Sequence, residues 1–364
     1  MTPAQRGPLR GAHIAILAVV GLVAALVLGL LGGAVGLSVA ALADREQVAP
    51  VTATGSDREP VLSGPETIAG VVRATLPSVV SVVVDAGAES GSGSGFVLRG
   101  DGYVVTNNHV IDAAVVNDGA VEVVLSDGRR QGAEIIGRNV SYDVAVLRID
   151  DEALPPLSAG DSSVSVGDSV VVIGAPLGYD FTVTTGIVSA VDRPVTVGEA
   201  DDASYISAIQ TDAPINPGNS GGPVIDGEGR FVGMASSMAT LARAPGTGSI
   251  GLGFAIPARA VVRIAEEIIA TGSSRTPIMG VTLDPSFAGP GALIDTVTPG
   301  GPAESAGLRA GDVILRLAGR DVGDADELVV AIRDRVPGEE VPVEARRGDR
   351  AFDTTVVLGS REDR

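Results

Sequence analysis

The chain has 364 residues, enough for two folded domains, and a formal net charge of −19. So acidic a surface offers no basic patch that could neutralise phosphates, and we expect no nucleic-acid partner. Cysteine is absent, which excludes disulfides and thiolate metal sites, and we expect neither a metal ion nor a cofactor. Abundant glycine and scarce aromatic residues are typical of a mainly β protein with many tight turns.

An uncharged apolar run occupies residues 14–43, and the residues before it carry Arg6 and Arg10 but no acid. About 20 apolar residues span a bilayer, and flanking arginines stay in the cytoplasm. We therefore expect a cytoplasmic N-terminus at residues 1–13, a transmembrane anchor at residues 14–43, and extracytoplasmic folded domains. A cleaved signal peptide is the alternative interpretation, and it exports the same domains.

A flexible linker is predicted at residues 44–64, where prolines and small polar residues follow neither the helical nor the strand period. Residues 63–66 have the pattern of a capping box and predict a short helix through Ala74. A folded domain is expected to begin at this helix and to extend over residues 65–271.

Short β-type runs separated by turn residues follow in two sets of six. The first set is residues 79–84, 95–99, 103–106, 121–125, 133–137 and 143–149. The second set is residues 169–174, 181–190, 204–210, 223–225, 231–235 and 253–256. Two such sets predict two β-barrels side by side, with a cleft between them.

An amphipathic helix is predicted after Pro257 and ends at Gly272, since its apolar positions recur at i, i+3, i+4 and i+7. Residues 272–275 are interpreted as a linker. A second, smaller domain is expected at residues 276–359, with a helix at residues 325–334, and a tail at residues 360–364.

Three residues in chain order have the chemistry of a catalytic triad: His109, Asp143 and Ser220. A nucleophilic serine needs an imidazole to take its proton and a carboxylate to orient that imidazole. His109 is the only imidazole available for this task, because His13 lies at the edge of the apolar run. Asp143 is preferred to the aspartates at residues 150–151 because it opens a strand and can point toward the cleft.

The chain resembles the HtrA family of bacterial serine proteases, also called DegP-like, over nearly all of residues 66–359. This resemblance rests on segments spread along the chain: residues 93–96, 106–110, 142–147, 216–223, 250–257, 278–281, 301–308 and 311–314. The resemblance implies a chymotrypsin-like double β-barrel protease domain followed by one PDZ domain. It also implies a homotrimer assembled through the protease domains.

The glycine-rich segment around Ser220 is expected to form the oxyanion hole, with the amides of Gly218 and Ser220 as donors and Asn219 between them. Pro214 stands where trypsin-like enzymes carry a carboxylate at the floor of the specificity pocket. Together with the resemblance, this predicts small aliphatic residues before the cut, with Ile215 and the region of residues 236–237 lining the pocket.

The segment formed by Met279, Gly280 and Val281, with Ile278 before it, resembles the carboxylate-binding loop of PDZ domains. Such a loop holds a terminal carboxylate on backbone amides while the adjoining strand pairs with the peptide. We therefore expect ligands with hydrophobic C-termini.

Two functions remain open at this point. The first is a membrane-anchored serine endopeptidase for misfolded or exported proteins, whose PDZ domain recruits substrate or relays activation. The second is a non-hydrolytic chaperone or scaffold whose triad rests in an inactive geometry. The complete triad and the glycine-rich segment favour the first function.

Overall fold

The computed structural model describes residues 67–151, 154–160, 164–175, 181–197, 204–237 and 251–363. The predicted cytoplasmic segment, transmembrane anchor and linker lie outside the described residues. Within the described ranges, no helix has the length and apolar character needed to cross a bilayer.

The first described helix, α1 (Ile68–Thr75), begins later than the sequence predicts. Its N-cap is Thr67, whose hydroxyl oxygen accepts a hydrogen bond from the Gly70 amide at 3.0 Å. The capping box predicted at residues 63–66 lies outside the described residues, and Thr67 satisfies an amide of the first turn instead.

Six antiparallel strands close the first barrel in the order β1-β2-β3-β6-β5-β4, and helix α2 (Asn108–Asn117) lies between β3 and β4 in the chain. The strands are β1 (Val79–Asp85), β2 (Gly91–Arg99), β3 (Tyr103–Thr106), β4 (Ala120–Val124), β5 (Arg130–Asn139) and β6 (Val144–Arg148). Buried valine, isoleucine and leucine side chains fill its interior.

The second barrel closes in the order β10-β11-β12-β9-β8-β7. Its strands are β7 (Ser169–Gly174), β8 (Thr182–Val197), β9 (Ser204–Thr211), β10 (Pro223–Asp226), β11 (Phe231–Ala235) and β12 (Gly253–Pro257). The prediction of two six-stranded barrels is therefore confirmed, although β8 is longer than the sequence indicates.

A continuous apolar core joins the two barrels. The rings of Phe96 in β2 and Phe231 in β11 have centroids 4.4 Å apart. Helix α3 (Ala258–Thr271) packs on the same core through its buried apolar face and ends at Gly272, as the sequence predicts. Buried side chains of both barrels thus share one hydrophobic core.

A second hydrophobic core organises the C-terminal region. Its main sheet runs in the order β14-β15-β16-β18-β19, with β17 beside β16. The strands are β13 (Ser274–Ile278), β14 (Val281–Leu283), β15 (Ala292–Val297), β16 (Asp312–Leu317), β17 (Arg320–Asp321), β18 (Glu340–Arg347), β19 (Arg350–Val357) and β20 (Gly359–Asp363). The helices are α4 (Pro302–Ser305) and α5 (Ala325–Arg333).

The ends of this region differ from the sequence prediction. Strands β13 and β20 pair antiparallel, with Ser274 opposite Asp363. Most of the predicted tail at residues 360–364 is therefore strand, and the predicted linker at residues 272–275 ends in a strand. The two-stranded sheet lies beside the first barrel, because Asn139 Nδ2 donates to Ser274 Oγ at 2.7 Å.

Candidate active site

His109 and Asp143 come together at one end of the first barrel. His109 is the second residue of α2, and Asp143 directly precedes β6 with a left-handed φ of 58°. The Asp143 carboxylate accepts hydrogen bonds from the His109 backbone amide at 3.0 Å and from Nδ1 at 2.9 Å. Donation from Nδ1 leaves Nε2 as the basic nitrogen, which is the tautomer that a general base requires.

Two further side chains hold Asp143 in place. Ser236 Oγ donates to Asp143 Oδ2 at 3.3 Å, and Asn107 Nδ2 donates to the Asp143 carbonyl oxygen at 2.9 Å. No sequence pattern indicates this role for Asn107, although it stands two residues before His109. The competing aspartate at residue 151 is engaged elsewhere, since Asp151 accepts a hydrogen bond from Arg129 at 2.7 Å.

The environment of His109 favours its protonated form. Burial lowers the pKa of His109 and is the largest single influence, but Asp143, through its charge and its hydrogen bond, outweighs burial with help from the charge of Asp112. The pKa of His109 is therefore raised above its ordinary value. The same interactions stabilise the imidazolium that forms during attack, and the imidazole is therefore a better proton acceptor.

The segment around Ser220 is fastened to the first barrel by Ser94. The Ser94 amide donates to the Ser220 carbonyl oxygen at 2.7 Å, and Ser94 Oγ donates to the Gly218 carbonyl oxygen at 2.5 Å. The contact is close: a Cβ atom at Gly221 would lie 2.1 Å from the Ser94 carbonyl oxygen, and Gly221 has a φ of +83°. Only glycine fits at residue 221.

The predicted oxyanion-hole residues lie in a tight turn. Gly218 has a φ of +101°, and the Asn219 amide donates to the Asn216 carbonyl oxygen at 3.0 Å. Among the described residues, none accepts a hydrogen bond from the amides of Gly218 or Ser220. These two amides have the hydrogen-bonding capacity that an oxyanion would use.

The Ser220 hydroxyl is directed toward Ser237. Its Oγ lies 2.5 Å from Ser237 Oγ and accepts a hydrogen bond from the Ser237 amide at 3.0 Å. No hydrogen bond among the described residues joins it to His109. For attack, the Ser220 hydroxyl must instead donate its proton to His109 Nε2.

His109 and Ser220 nevertheless line one cleft of about 250 Å³. Its lining residues are Val84, Glu89, Gly91, Ser92, His109, Val110, Ala113, Pro217, Gly218, Ser220 and Ser237. Both barrels contribute to this lining, as expected for an active site between them.

Ile215, the predicted pocket residue, lies deeper than expected. Its side chain is 1% exposed and packs in the core of the second barrel. It is not among the residues that line the cleft beside Ser220. The neighbouring segment at residues 238–250 lies outside the described residues, so the pocket assignment of Ile215 stays a prediction.

The predicted peptide-binding loop borders a groove of about 490 Å³ in the C-terminal region. Met279 is buried, Gly280 has a φ of +79°, and Val281 begins strand β14. Apolar side chains of β14 and α5 form the two walls, and Tyr205 of the second barrel and Arg333 also line the groove. An extended peptide added to the edge of β14 would lie in this groove.

Comparison with known families matches both domains. The trypsin-like peptidase domain matches residues 93–234, and the PDZ domain matches residues 277–358. The chain is 40% identical over 305 residues to the serine protease PepD of Mycobacterium tuberculosis, covering 80% of this chain and 66% of PepD. It is 38% identical over 282 residues to a probable periplasmic serine endoprotease, DegP-like, of Halomonas elongata, covering 74% and 57% of the two chains.

The chain is also similar to solved structures of HtrA-type proteases. The HtrA-type protease AlgW with a tripeptide superposes with a TM-score of 0.63 at 31% identity, covering 81% of this chain and 97% of AlgW. The chain spans 66% of PepD and 57% of the Halomonas relative, so both curated relatives are longer than the matched part.

Proposed function

Because this chain belongs to the HtrA-type serine proteases, with a trypsin-like peptidase domain followed by a PDZ domain, we propose that it is an endopeptidase that cuts unfolded or exported proteins. Ser220 is the nucleophile, His109 the general base and Asp143 the residue that orients His109. The observation that carries this proposal is the hydrogen bond between the buried Asp143 and the half-buried His109, whose side chain lines one cleft together with Ser220.

The chemical sequence follows from this arrangement. Ser220 Oγ gives up its proton to His109 Nε2 and attacks the substrate carbonyl carbon. The amides of Gly218 and Ser220 stabilise the oxyanion, and one such donor typically contributes about 10²–10³ in kcat. His109 then protonates the leaving amine, and a water molecule activated by His109 hydrolyses the acyl-enzyme.

The PDZ domain is proposed to bind hydrophobic peptide C-termini at Met279, Gly280 and Val281, for recruitment or for activation. Contacts around the turn that precedes Asp143 support the activating role. The Tyr142 hydroxyl donates to the Arg333 carbonyl oxygen at 2.7 Å, and Ser141 Oγ donates to Asp363 at 3.0 Å. Arg333 is thus shared between the peptide groove and the catalytic-aspartate turn.

We further propose an extracytoplasmic location, with residues 14–43 as a single-pass anchor, and a homotrimer as the assembled state. The apolar run and its flanking arginines support the anchor, and the periplasmic description of the DegP-like relative agrees with export. A full-length protein that stays in membranes after a high-salt wash supports the anchor. A soluble form that begins near residue 44 contradicts it.

The Ser220 hydroxyl contacts Ser237 rather than His109, and this favours a second candidate function. In that function, the triad rests in an inactive geometry and the protein binds unfolded chains without cutting them. The two functions are separated by incubating wild-type protein and Ser220→Ala with casein. We expect wild type to degrade casein and Ser220→Ala to bind it without cleavage, because only covalent attack needs the hydroxyl. Absence of proteolysis in both proteins would favour the chaperone function, and equal proteolysis would reject Ser220 as the nucleophile.

A further inference from the structure

The active-site cleft extends mainly over the first barrel. Seven of its eleven lining residues belong to that barrel or to α2: Val84, Glu89, Gly91, Ser92, His109, Val110 and Ala113. The pocket proposed for the residue before the cut is instead assigned to the second barrel, near Ile215. A peptide bound across the cleft therefore places the residues after the scissile bond over the first barrel.

Backbone groups of strand β2 can form hydrogen bonds with the substrate residues that follow the scissile bond. The Ser94 amide donates to the Ser220 carbonyl oxygen, so that side of β2 faces the nucleophile segment. Backbone groups alternate sides along an antiparallel strand, which directs the amide and carbonyl of Ser92 to the same side. The ladder from β2 to β3 begins only at Phe96, while β1 covers the other edge. An extended peptide can pair with Ser92.

Glu89 supplies the negative charge of this surface. It is the only acidic residue among those that line the cleft. Its Oε2 accepts a hydrogen bond from Asn117 Nδ2 at 2.9 Å, and Asn117 is the last residue of α2, which carries His109 near its start. This bond joins the carboxylate to the helix that carries the imidazole. Among the described residues, Glu89 accepts the hydrogen bond from Asn117 and takes part in no salt bridge.

We propose that Glu89 makes the protease prefer substrates that carry arginine or lysine within the first three residues after the scissile bond. This preference rests on the proposed function. Val110 and Ala113, both partly exposed, provide apolar contacts for the stem of a long basic side chain, whose charged end then reaches Glu89. Acidic residues at the same positions are repelled.

Three quenched fluorescent peptides test the preference. They share the residues before the cut, with valine at the cleavage position, and differ after it by one arginine, glutamine or glutamate. For wild type at low ionic strength, we expect kcat/KM to be about five- to tenfold higher for the arginine peptide than for the glutamate peptide. Glu89→Gln should bring this ratio close to one, and Glu89→Arg should invert it.

Glu266→Gln is the matched control, since it removes one exposed carboxylate of α3 and should keep the wild-type ratio. The rate of Glu89→Gln on the glutamine peptide shows that its active site is folded. An unchanged arginine-to-glutamate ratio in Glu89→Gln would overturn the assignment. Failure of wild type to cut any of the three peptides would contradict the proposed function, and the preference with it.

Discussion

At the residue scale, the charge around His109 sets the pH range in which the site can work. Asp112 lies three residues after His109 in α2 and pairs with Arg138 at 2.6 Å. Its charge is one of the influences that raise the pKa of His109. A histidine is a general base only when neutral, so a raised pKa moves the loss of activity in acid to higher pH.

Asp112→Asn is therefore expected to lower the pKa of His109, because it removes a charge that favours the imidazolium. The acid limb of the kcat/KM profile should move to lower pH, so that the variant exceeds wild type in acid and equals it in alkali. Peptidase assays across the pH range measure this shift. Asp127→Asn, on an exposed turn of the same barrel, should leave the profile in place. A shift of Asp112→Asn to higher pH would contradict the electrostatic account.

The sequence predicted the residues of the site better than their partners. His109 could be singled out because the chain has only two histidines, and Ser220 because glycines surround it. The sequence indicated residues 236–237 only as pocket lining and indicated no role for Ser94, whereas Ser236 bonds to Asp143, Ser237 contacts Ser220 and Ser94 bonds to the Gly218 carbonyl oxygen. Their contacts join segments far apart in the chain, and no local pattern reports them.

At the element scale, the close approach of β2 to the nucleophile segment positions Ser220. The sequence predicted β2 only from Gly95 onward, because the glycines and serines of residues 91–94 have low strand propensity. The strand begins at Gly91 because residues 91–96 pair with β1. Small residues are required there, since a Cβ atom at Gly93 would lie 2.7 Å from a methyl group of Val110.

Gly221→Ala should disturb this contact strongly. A methyl group at residue 221 would meet the Ser94 carbonyl oxygen, and alanine disfavours the left-handed backbone at about 1–3 kcal/mol. A displacement of Ser220 by about 1 Å can lower the rate about 10²-fold. Peptidase rates and thermal unfolding measure both effects.

Gly128→Ala is the matched control, because Gly128 has a similar φ of +85° but open space around its Cβ position. It should lose only stability and keep wild-type kcat/KM. Equal kcat/KM in the two variants would show that the contact between residue 221 and Ser94 does not position the nucleophile.

At the scale of the whole molecule, the C-terminal domain contacts the first barrel beside the catalytic aspartate. The guanidinium groups of Arg263 and Arg333 lie 5.4 Å and 5.7 Å from the centre of the Tyr142 ring. Burial raises the pKa of the Tyr142 hydroxyl to about 12. Tyr142 is therefore a neutral hydrogen-bond donor at physiological pH. The sequence predicted both domains but not this interface, since residues 360–363 form a strand only where they pair with β13.

Tyr142→Phe tests whether this interface carries a signal. Loss of the bond to the Arg333 carbonyl oxygen should lower the free energy of unfolding by about 1–3 kcal/mol, because that oxygen is left without its partner. A peptide with a hydrophobic C-terminus should bind with unchanged Kd but alter the peptidase rate less than in wild type. Tyr103→Phe, in strand β3, is the control and should respond to the peptide as wild type does. An unchanged response to the peptide in Tyr142→Phe would remove Tyr142 from the relay.

The central claim is that Ser220 is a nucleophile activated by His109, and covalent labelling tests it most directly. Wild type, Ser220→Ala and His109→Ala are treated with a fluorophosphonate, and the adduct is located by mass spectrometry of peptides. We expect one adduct per chain, on Ser220 in wild type, strongly slowed labelling in His109→Ala and none in Ser220→Ala. An adduct on another residue, or equal labelling of wild type and Ser220→Ala, would contradict the claim.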